Sequence, residues 1–336
     1  MTRLTLVVVV VLGLLWCEGV AGQLRSSPAE GTRWSVVVKA EGGKVAGYRQ
    51  PGGVATFLGI PYAAPPLGRL RFRPPEPAPP WAPALLDATN HKPDCMQSGI
   101  GQSEADKNRP QDEDCLYLNV WTPNTRPRRR LAVMVWIHGG AWQIGGSSRP
   151  EYNGAKLAAM GVVVINFNYR LGAFGFLANP KDGLYGNYGL MDQRVVLHWV
   201  QRNVRTFGGD PRRVTVFGES AGAKSIGLHL LMPGQGELFQ KAIMQSNSYG
   251  YLYRSQTIAA WLGEALKNSL DCEAGGLRCM QEAPAEEVIE SMDALHGFPR
   301  SVGDFFTWGP VLTKVQHWGR TFKVIQSSGG GGESAL

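Results

Sequence analysis

The chain has 336 residues, 43% apolar and 18% charged, a globular composition long enough for one large domain or two ordinary ones. The formal charge is +7, but the lysines and arginines are scattered, and the one basic cluster, RPRRR at Arg126 to Arg130, falls between two expected strands. With no aromatic-rich basic surface beside it, that cluster reads as a solvated loop, and nucleic acid is excluded as a partner.

Taken in chain order, the first 22 residues read as a secretory signal: Arg3 supplies the charged start, Leu4 to Trp16 is almost wholly apolar, and Val20-Ala21-Gly22 offers small residues for cleavage before Gln23. The apolar run is too short for a comfortable membrane span, and no later stretch is long and apolar enough. The expectation is a secreted, extracellular protein with no stable membrane span in the mature chain. One of the five cysteines, Cys17, lies in the signal, which leaves Cys95, Cys115, Cys272 and Cys279 for an oxidising compartment. Two disulfides are expected, with three pairings open and the sequential one simplest. No CxxC or HxxxH spacing suggests a metal, and no cofactor is expected.

The next elements alternate apolar and polar residues. SVVVKAEGGKVAGYR (35–49) and VATFLGIPY (54–62), punctuated by glycine pairs, read as antiparallel hairpins. Eight prolines between Pro65 and Pro83 make an extended, irregular segment. Strands follow at Cys115 to Pro123, Leu131 to Gly140, Val162 to Arg170, Arg213 to Gly218 and Lys241 to Asn247. Helices are expected at Tyr152 to Met160, Gly189 to Phe207, Ser220 to Met232 and Thr257 to Leu270, the second carrying apolar residues at helical spacing from Leu190 to Val204. Apolar strands alternating with helices predict an α/β fold with a mostly parallel sheet covered on both faces, extended at one edge by the hairpins. The glycine tract near the C-terminus has no packing capacity and is expected to be disordered.

One serine stands out. In Gly218-Glu219-Ser220-Ala221-Gly222 it sits between an apolar strand and a helix, the GxSxG pattern in which a sharp turn exposes the hydroxyl and glycine relieves crowding. Helix N-terminal N–H groups beside it favour developing negative charge. Upstream, HGGAW (His138 to Trp142) ends another apolar strand, and loops of this kind present backbone N–H groups to an oxyanion.

These segments resemble the type B carboxylesterase family, the cholinesterase-like branch of the α/β hydrolases. The residues that carry the likeness are FLGIPYAAPPLGRLRF (57–72), EDCLYLNVWTP (113–123), VMVWIHGGAW (133–142), NYRLGAFGFL (168–177), the run from Gly186 to Gly222 and FQKAIMQSN (239–247). The likeness runs from about Trp34 to about Pro310. It implies an α/β-hydrolase fold with Ser220 as nucleophile and Glu219 lining the site. It also implies an oxyanion hole from Gly139, Gly140, Ala141 and Ala221, where Ala141 replaces a glycine frequent in the family. Disulfides Cys95–Cys115 and Cys272–Cys279 and a buried ion pair of Arg71 with Glu113 follow from the same likeness.

The family places its acid and histidine far downstream, so the expectation is a carboxylesterase domain over 23–312, incomplete at its C-terminal side, with a divergent tail over 313–336. The triad acid and histidine are then absent from this chain, and an apolar sheet edge is left open to aggregation. His138 is expected to support its loop and His198 and His229 to pack within helices, while His296 and His317 are expected to be incidental. The substrate is expected to be a small-molecule ester, neutral rather than a choline ester, because the segment from Cys95 to Cys115 holds no tryptophan or tyrosine to face a quaternary ammonium. The alternative readings are an inactive truncated isoform and a non-catalytic cholinesterase-like adhesion protein.

Overall fold

A computed structural model describes residues 35–247, 253–296 and 307–311. The expected signal segment, the divergent tail and His317 lie outside the described residues.

Eight strands form the main path of the central sheet: β1 (Val36–Ala40), β2 (Gly43–Arg49), β3 (Ala55–Pro61), β4 (Tyr117–Thr122), β5 (Leu131–Ile137), β6 (Val162–Phe167), β7 (Gly209–Glu219) and β8 (Lys241–Gln245). Their spatial order is β1-β2-β3-β4-β6-β5-β7-β8, and a short ninth strand, Leu85–Asp87, pairs beside β2. The sheet is mixed. The hairpin strands run antiparallel as far as β4, which is antiparallel to both β3 and β6. From β6 through β5 and β7 to β8 every pairing is parallel.

The sequence dictates this division. β1 alternates between exposed and half-buried residues, as one-sided sheet edges do, whereas β3 and β6 are apolar and buried nearly throughout. Five helices matter to the packing: α1 (Ala155–Ala159), α2 (Gly172–Phe176), α3 (Tyr188–Asn203), α4 (Ala221–Leu231) and α5 (Gln256–Ser269). Leu190, Val195, Val196, Leu197, Trp199 and Val200 of α3 join the main core with Val133, Val135 and Ile137 of β5 and Val214 and Val216 of β7. A second apolar cluster packs α2 and the start of α3 against α5, α6 (Gly276–Glu282) and α7 (Ala285–Ala294), with Phe174, Leu262, Leu266, Met280, Val288 and Met292 at its centre.

After β5 the chain places β6 on one side of it and β7 on the other. That reversal falls next to β5, at the kind of switch point where parallel α/β sheets put their sites. Register aligns the ends: Ile137 pairs with Gly218, and Glu219 with Gln245. The loops that follow β5, β7 and β8 therefore emerge at one edge. Among the described residues β8 is the last strand on this side, with Ile243 46% exposed.

Both disulfides form, Cys95 to Cys115 and Cys272 to Cys279. Arg71 meets Glu113 through two hydrogen bonds and also donates to the carbonyls of Met280 and Ala283, so this ion pair clamps the first disulfide segment to α6. A second buried pair was not anticipated from the sequence. Arg170, just after β6, donates through Nε and Nη2 to both oxygens of Asp192 on α3 at 2.8 and 2.7 Å, while its Nη1 reaches the Arg73 carbonyl at 2.7 Å. Two charges this deep persist because each oxygen of Asp192 and each nitrogen of the Arg170 guanidinium has a hydrogen-bond partner.

Removing one member strands the other, so Asp192→Ala is expected to lower unfolding free energy by about 3–5 kcal/mol, with the double change Arg170→Met, Asp192→Leu losing less. Urea unfolding of the three proteins checks this; a single variant as stable as the parent would refute it.

Candidate active site

The expected elbow is present. β7 ends at Glu219, α4 begins at Ala221, and Ser220 between them has φ 52° and ψ −117°. A left-handed serine is strained by roughly 1–3 kcal/mol and must be held by its surroundings. Its N–H donates to the Gln245 carbonyl at the end of β8 (2.9 Å), and its carbonyl accepts from the Lys224 N–H of α4 (2.9 Å). The flanking glycines are steric requirements. A Cβ on Gly218 would lie 2.7 Å from the Ile137 carbonyl oxygen, and one on Gly222 only 2.1 Å from it.

The loop after β5 folds directly against this turn. A Cβ on Gly139 would stand 2.7 Å from Glu219 Oε2 and 3.4 Å from Ser220 Cβ. Gly140 has φ 106°, and a side chain there would collide with the Ile144 carbonyl at 1.9 Å. The Gly140 carbonyl accepts from the N–H groups of Gln143 and Ile144, which turns the chain tightly. Ala141 and Trp142 both have φ 60°, so two consecutive residues with side chains are held left-handed. Among the described residues no acceptor meets the backbone N–H of Gly140, Ala141 or Ala221. Three uncommitted donors thus belong to the two loops that touch at Ser220.

What braces the upper loop is the segment bounded by Cys95 and Cys115. Gln97 accepts from the Gly145 N–H (2.7 Å) and donates back to the Gly145 and Cys95 carbonyls, both at 2.8 Å. Asp94 bonds Ser148 Oγ at 2.9 Å and Arg109 Nε at 2.8 Å, and it packs so close to Gly146 that a Cβ there would sit 2.0 Å from its Oδ1. Gln97 and Asp94 were missed by sequence reasoning. Their only signal was proximity to a cysteine, which says nothing about what they touch.

His138 and His229 are buried, as expected, but His198, expected to pack within its helix, is exposed. His138 is buried, stacks on Tyr169 with ring centroids 4.3 Å apart, and its Nδ1 lies 2.8 Å from the Gly139 carbonyl. Burial pushes it down to about 4, so it stays neutral with the proton on Nδ1. His229 is buried on α4 with Nε2 at 2.8 Å from Gln193 Oε1, and burial lowers it to about 3. His198 falls on the solvent side of α3, opposite the core-facing Val196, Trp199 and Val200, so it does not pack; partial desolvation and the nearby Arg194 and Arg202 lower its pKa. His296 is exposed just past α7. Among the described residues, no side chain hydrogen-bonds to the Ser220 hydroxyl.

The profile of the carboxylesterase family matches residues 35–327. The chain belongs to the carboxylesterase family. It is 43% identical over 271 residues to an acetylcholinesterase of Bungarus fasciatus, an alignment covering 75% of this chain and 44% of that relative. Among solved structures it resembles a PNB esterase with TM-score 0.75 and 41% identity, covering 82% of this chain and 57% of that one. A Geobacillus stearothermophilus carboxylesterase, EST55, gives TM-score 0.73 and 38% identity over 83% of this chain and 56% of its own. The chain therefore spans about half the length of the relatives it matches.

Neutral burial of His138 and His229 has a pH signature. Both bind a proton near pH 6.5 when unfolded but only near pH 4 and 3 when folded, so the unfolded state takes up more protons as pH falls. Their stabilisation is complete above about pH 6.5 and declines below it. The urea midpoint is expected to drop between pH 7 and 5, and His229→Gln to flatten that slope. A midpoint constant over this range would contradict the neutral assignment.

Proposed function

We propose that this chain carries the nucleophile half of a secreted serine carboxylesterase, which hydrolyses esters through an acyl-serine on Ser220. The observation that supports this most is the left-handed Ser220 at a strand-to-helix turn with a glycine loop pressed against it. Such a turn has no packing purpose that an ordinary turn residue would not serve with less strain. In the proposed reaction a base takes the Ser220 hydroxyl proton as Oγ attacks the ester carbonyl carbon. The carbonyl oxygen becomes an oxyanion, for which the N–H groups of Gly140, Ala141 and Ala221 are the proposed donors, with Gly139 allowing their approach and Glu219 lining the site. The tetrahedral intermediate collapses with loss of the alcohol, which receives the proton, and water then releases the acid by the same steps in reverse order. No metal or cofactor is needed for this chemistry.

The base is proposed to come from outside the described residues. His138 and His229 are walled into the core with their own partners, and His198 lies along α3. By family likeness the acid and histidine belong to sequence downstream of these 336 residues, and the proposed domain runs over 23–312 with the signal at 1–22. Secretion is supported by the apolar N-terminal run and by the two disulfides. No helix of the described residues is long and apolar enough to cross a membrane. A neutral ester is favoured over a choline ester because the Cys95–Cys115 segment lacks tryptophan and tyrosine.

The test is covalent labelling. The exported 336-residue protein is treated with a fluorophosphonate probe and the adduct located by mass spectrometry. A stoichiometric adduct on Ser220, lost in Ser220→Ala, is the expected result when the chain is supplied with its downstream half. With this chain alone, labelling is expected to be slower by at least about 1000-fold, the scale on which a missing triad member acts. Rapid labelling of the chain alone would overturn the assignment of the base, and His296→Ala and His317→Ala would then locate it.

A further inference from the structure

We propose that Ser225 is a positioning residue that locks the two loops of the oxyanion site to each other. The inference rests on the assignment of Ser220 and its N–H donors given above.

Ser225 lies on α4, fully buried, five residues after Ser220. Its hydroxyl donates to the Ala221 carbonyl at 2.8 Å. A serine bonding one turn back along its own helix is commonplace and would by itself mean little. Here the same oxygen also accepts the indole N–H of Trp142 at 2.9 Å and the amide of Gln193 at 3.3 Å. One donor and two acceptor positions are all a hydroxyl has, so Ser225 is saturated. Its three partners come from three elements: α4, the loop after β5 and α3.

His229 Nε2 donates to Gln193 Oε1 at 2.8 Å, which turns the Gln193 amide nitrogen toward Ser225. Burial, with Arg194 nearby, keeps that imidazole neutral, so one ring proton is available. With both of its acceptor positions taken by Trp142 and Gln193, the Ser225 hydroxyl has only the Ala221 carbonyl left as a target. All four side chains are buried, so a lost bond leaves a desolvated polar group.

The consequence falls on the donors. Ala221 carries one of the three uncommitted N–H groups. Trp142 follows Ala141, which carries another, and both residues of that pair are left-handed. Trp142 is held at its carbonyl by the Gly172 N–H (2.8 Å) and at its indole by Ser225. Neither residue can relax to an ordinary conformation without breaking one of these bonds. A single hydroxyl thus sets the spacing between the donor after the nucleophile and the donors of the glycine loop.

The test pairs Ser225→Ala with Trp142→Phe, which removes the same bond from its other end, and with the double variant. Two measurements are made on the full chain. The first is fluorophosphonate labelling of Ser220, resolved into probe affinity and maximal rate. A displacement of the donors is expected to lower the maximal rate by about tenfold or more, with affinity within about twofold, in either single variant, and the double variant is expected to be no worse than the singles. The second is amide hydrogen exchange, with acceleration expected in peptides covering residues 139–144 but not in β6 or α3. A folded Ser225→Ala protein with unchanged maximal rate overturns the proposal, as do single effects that simply add. If the parent is not labelled even when supplied with its downstream half, the nucleophile reading has failed; if it labels too slowly to resolve without that half, exchange alone decides the role of Ser225, and unchanged protection over 139–144 overturns it.

Discussion

The close approach of two backbone segments governs the catalytic edge of this protein. The turn at Ser220 presses Gly218 and Gly222 onto the carbonyl of Ile137, at the end of the neighbouring parallel strand. No side chain fits at either glycine, and the serine between them is forced into a conformation that L-residues avoid. In return the hydroxyl stands clear of the sheet while the helix behind it aims its first N–H groups the same way. The loop after β5 must then follow the turn closely, which is why Gly139 is a glycine, while Gly140 is one because the loop folds back on Ile144.

Such strain survives only where the surroundings over-determine it. Three independent braces do so. The Gln97 and Asp94 contacts tie the glycine loop to the first disulfide segment, and Arg71 ties that segment to α6. The Arg170–Asp192 pair fixes the end of β6 to α3. Beneath the elbow, Ser225 and Gln193 join α4, α3 and Trp142 in one buried polar network. The polar interior at this edge is therefore concentrated where the backbone is least relaxed, and the apolar core lies beneath it.

Within the described residues these braces hold an organised strand-to-helix turn at Ser220 that no described histidine contacts. Sheet register, glycine contacts and the buried pairs all lie within the described residues. A proton acceptor for Ser220 does not. In the proposed reaction, positioning of Ser220 comes from contacts close to the strand ends and proton transfer from residues elsewhere in sequence.

Much of this was legible in the sequence. Hairpins at the front, the strands of the parallel block and α3 follow from periodicity, because burial on one face or two leaves a repeat that a single chain records. GESAG and HGGA were readable for the same local reason: a turn that needs glycine at fixed offsets writes glycine there. Even the disulfides and the Arg71–Glu113 pair were accessible through resemblance. Gln97, Asp94, Asp192 and Ser225 were not, since each acts on a residue at least 20 positions away in sequence or through such a partner, and a polar residue's own neighbours do not say which distant group it meets. The direction of β4 was likewise decided by tertiary structure, because an apolar strand pairs either way until its neighbours are chosen. Local backbone chemistry set by itself where the sharp turn at Ser220 would stand; which side chains hold it there was settled only when the sheet brought distant segments to one edge.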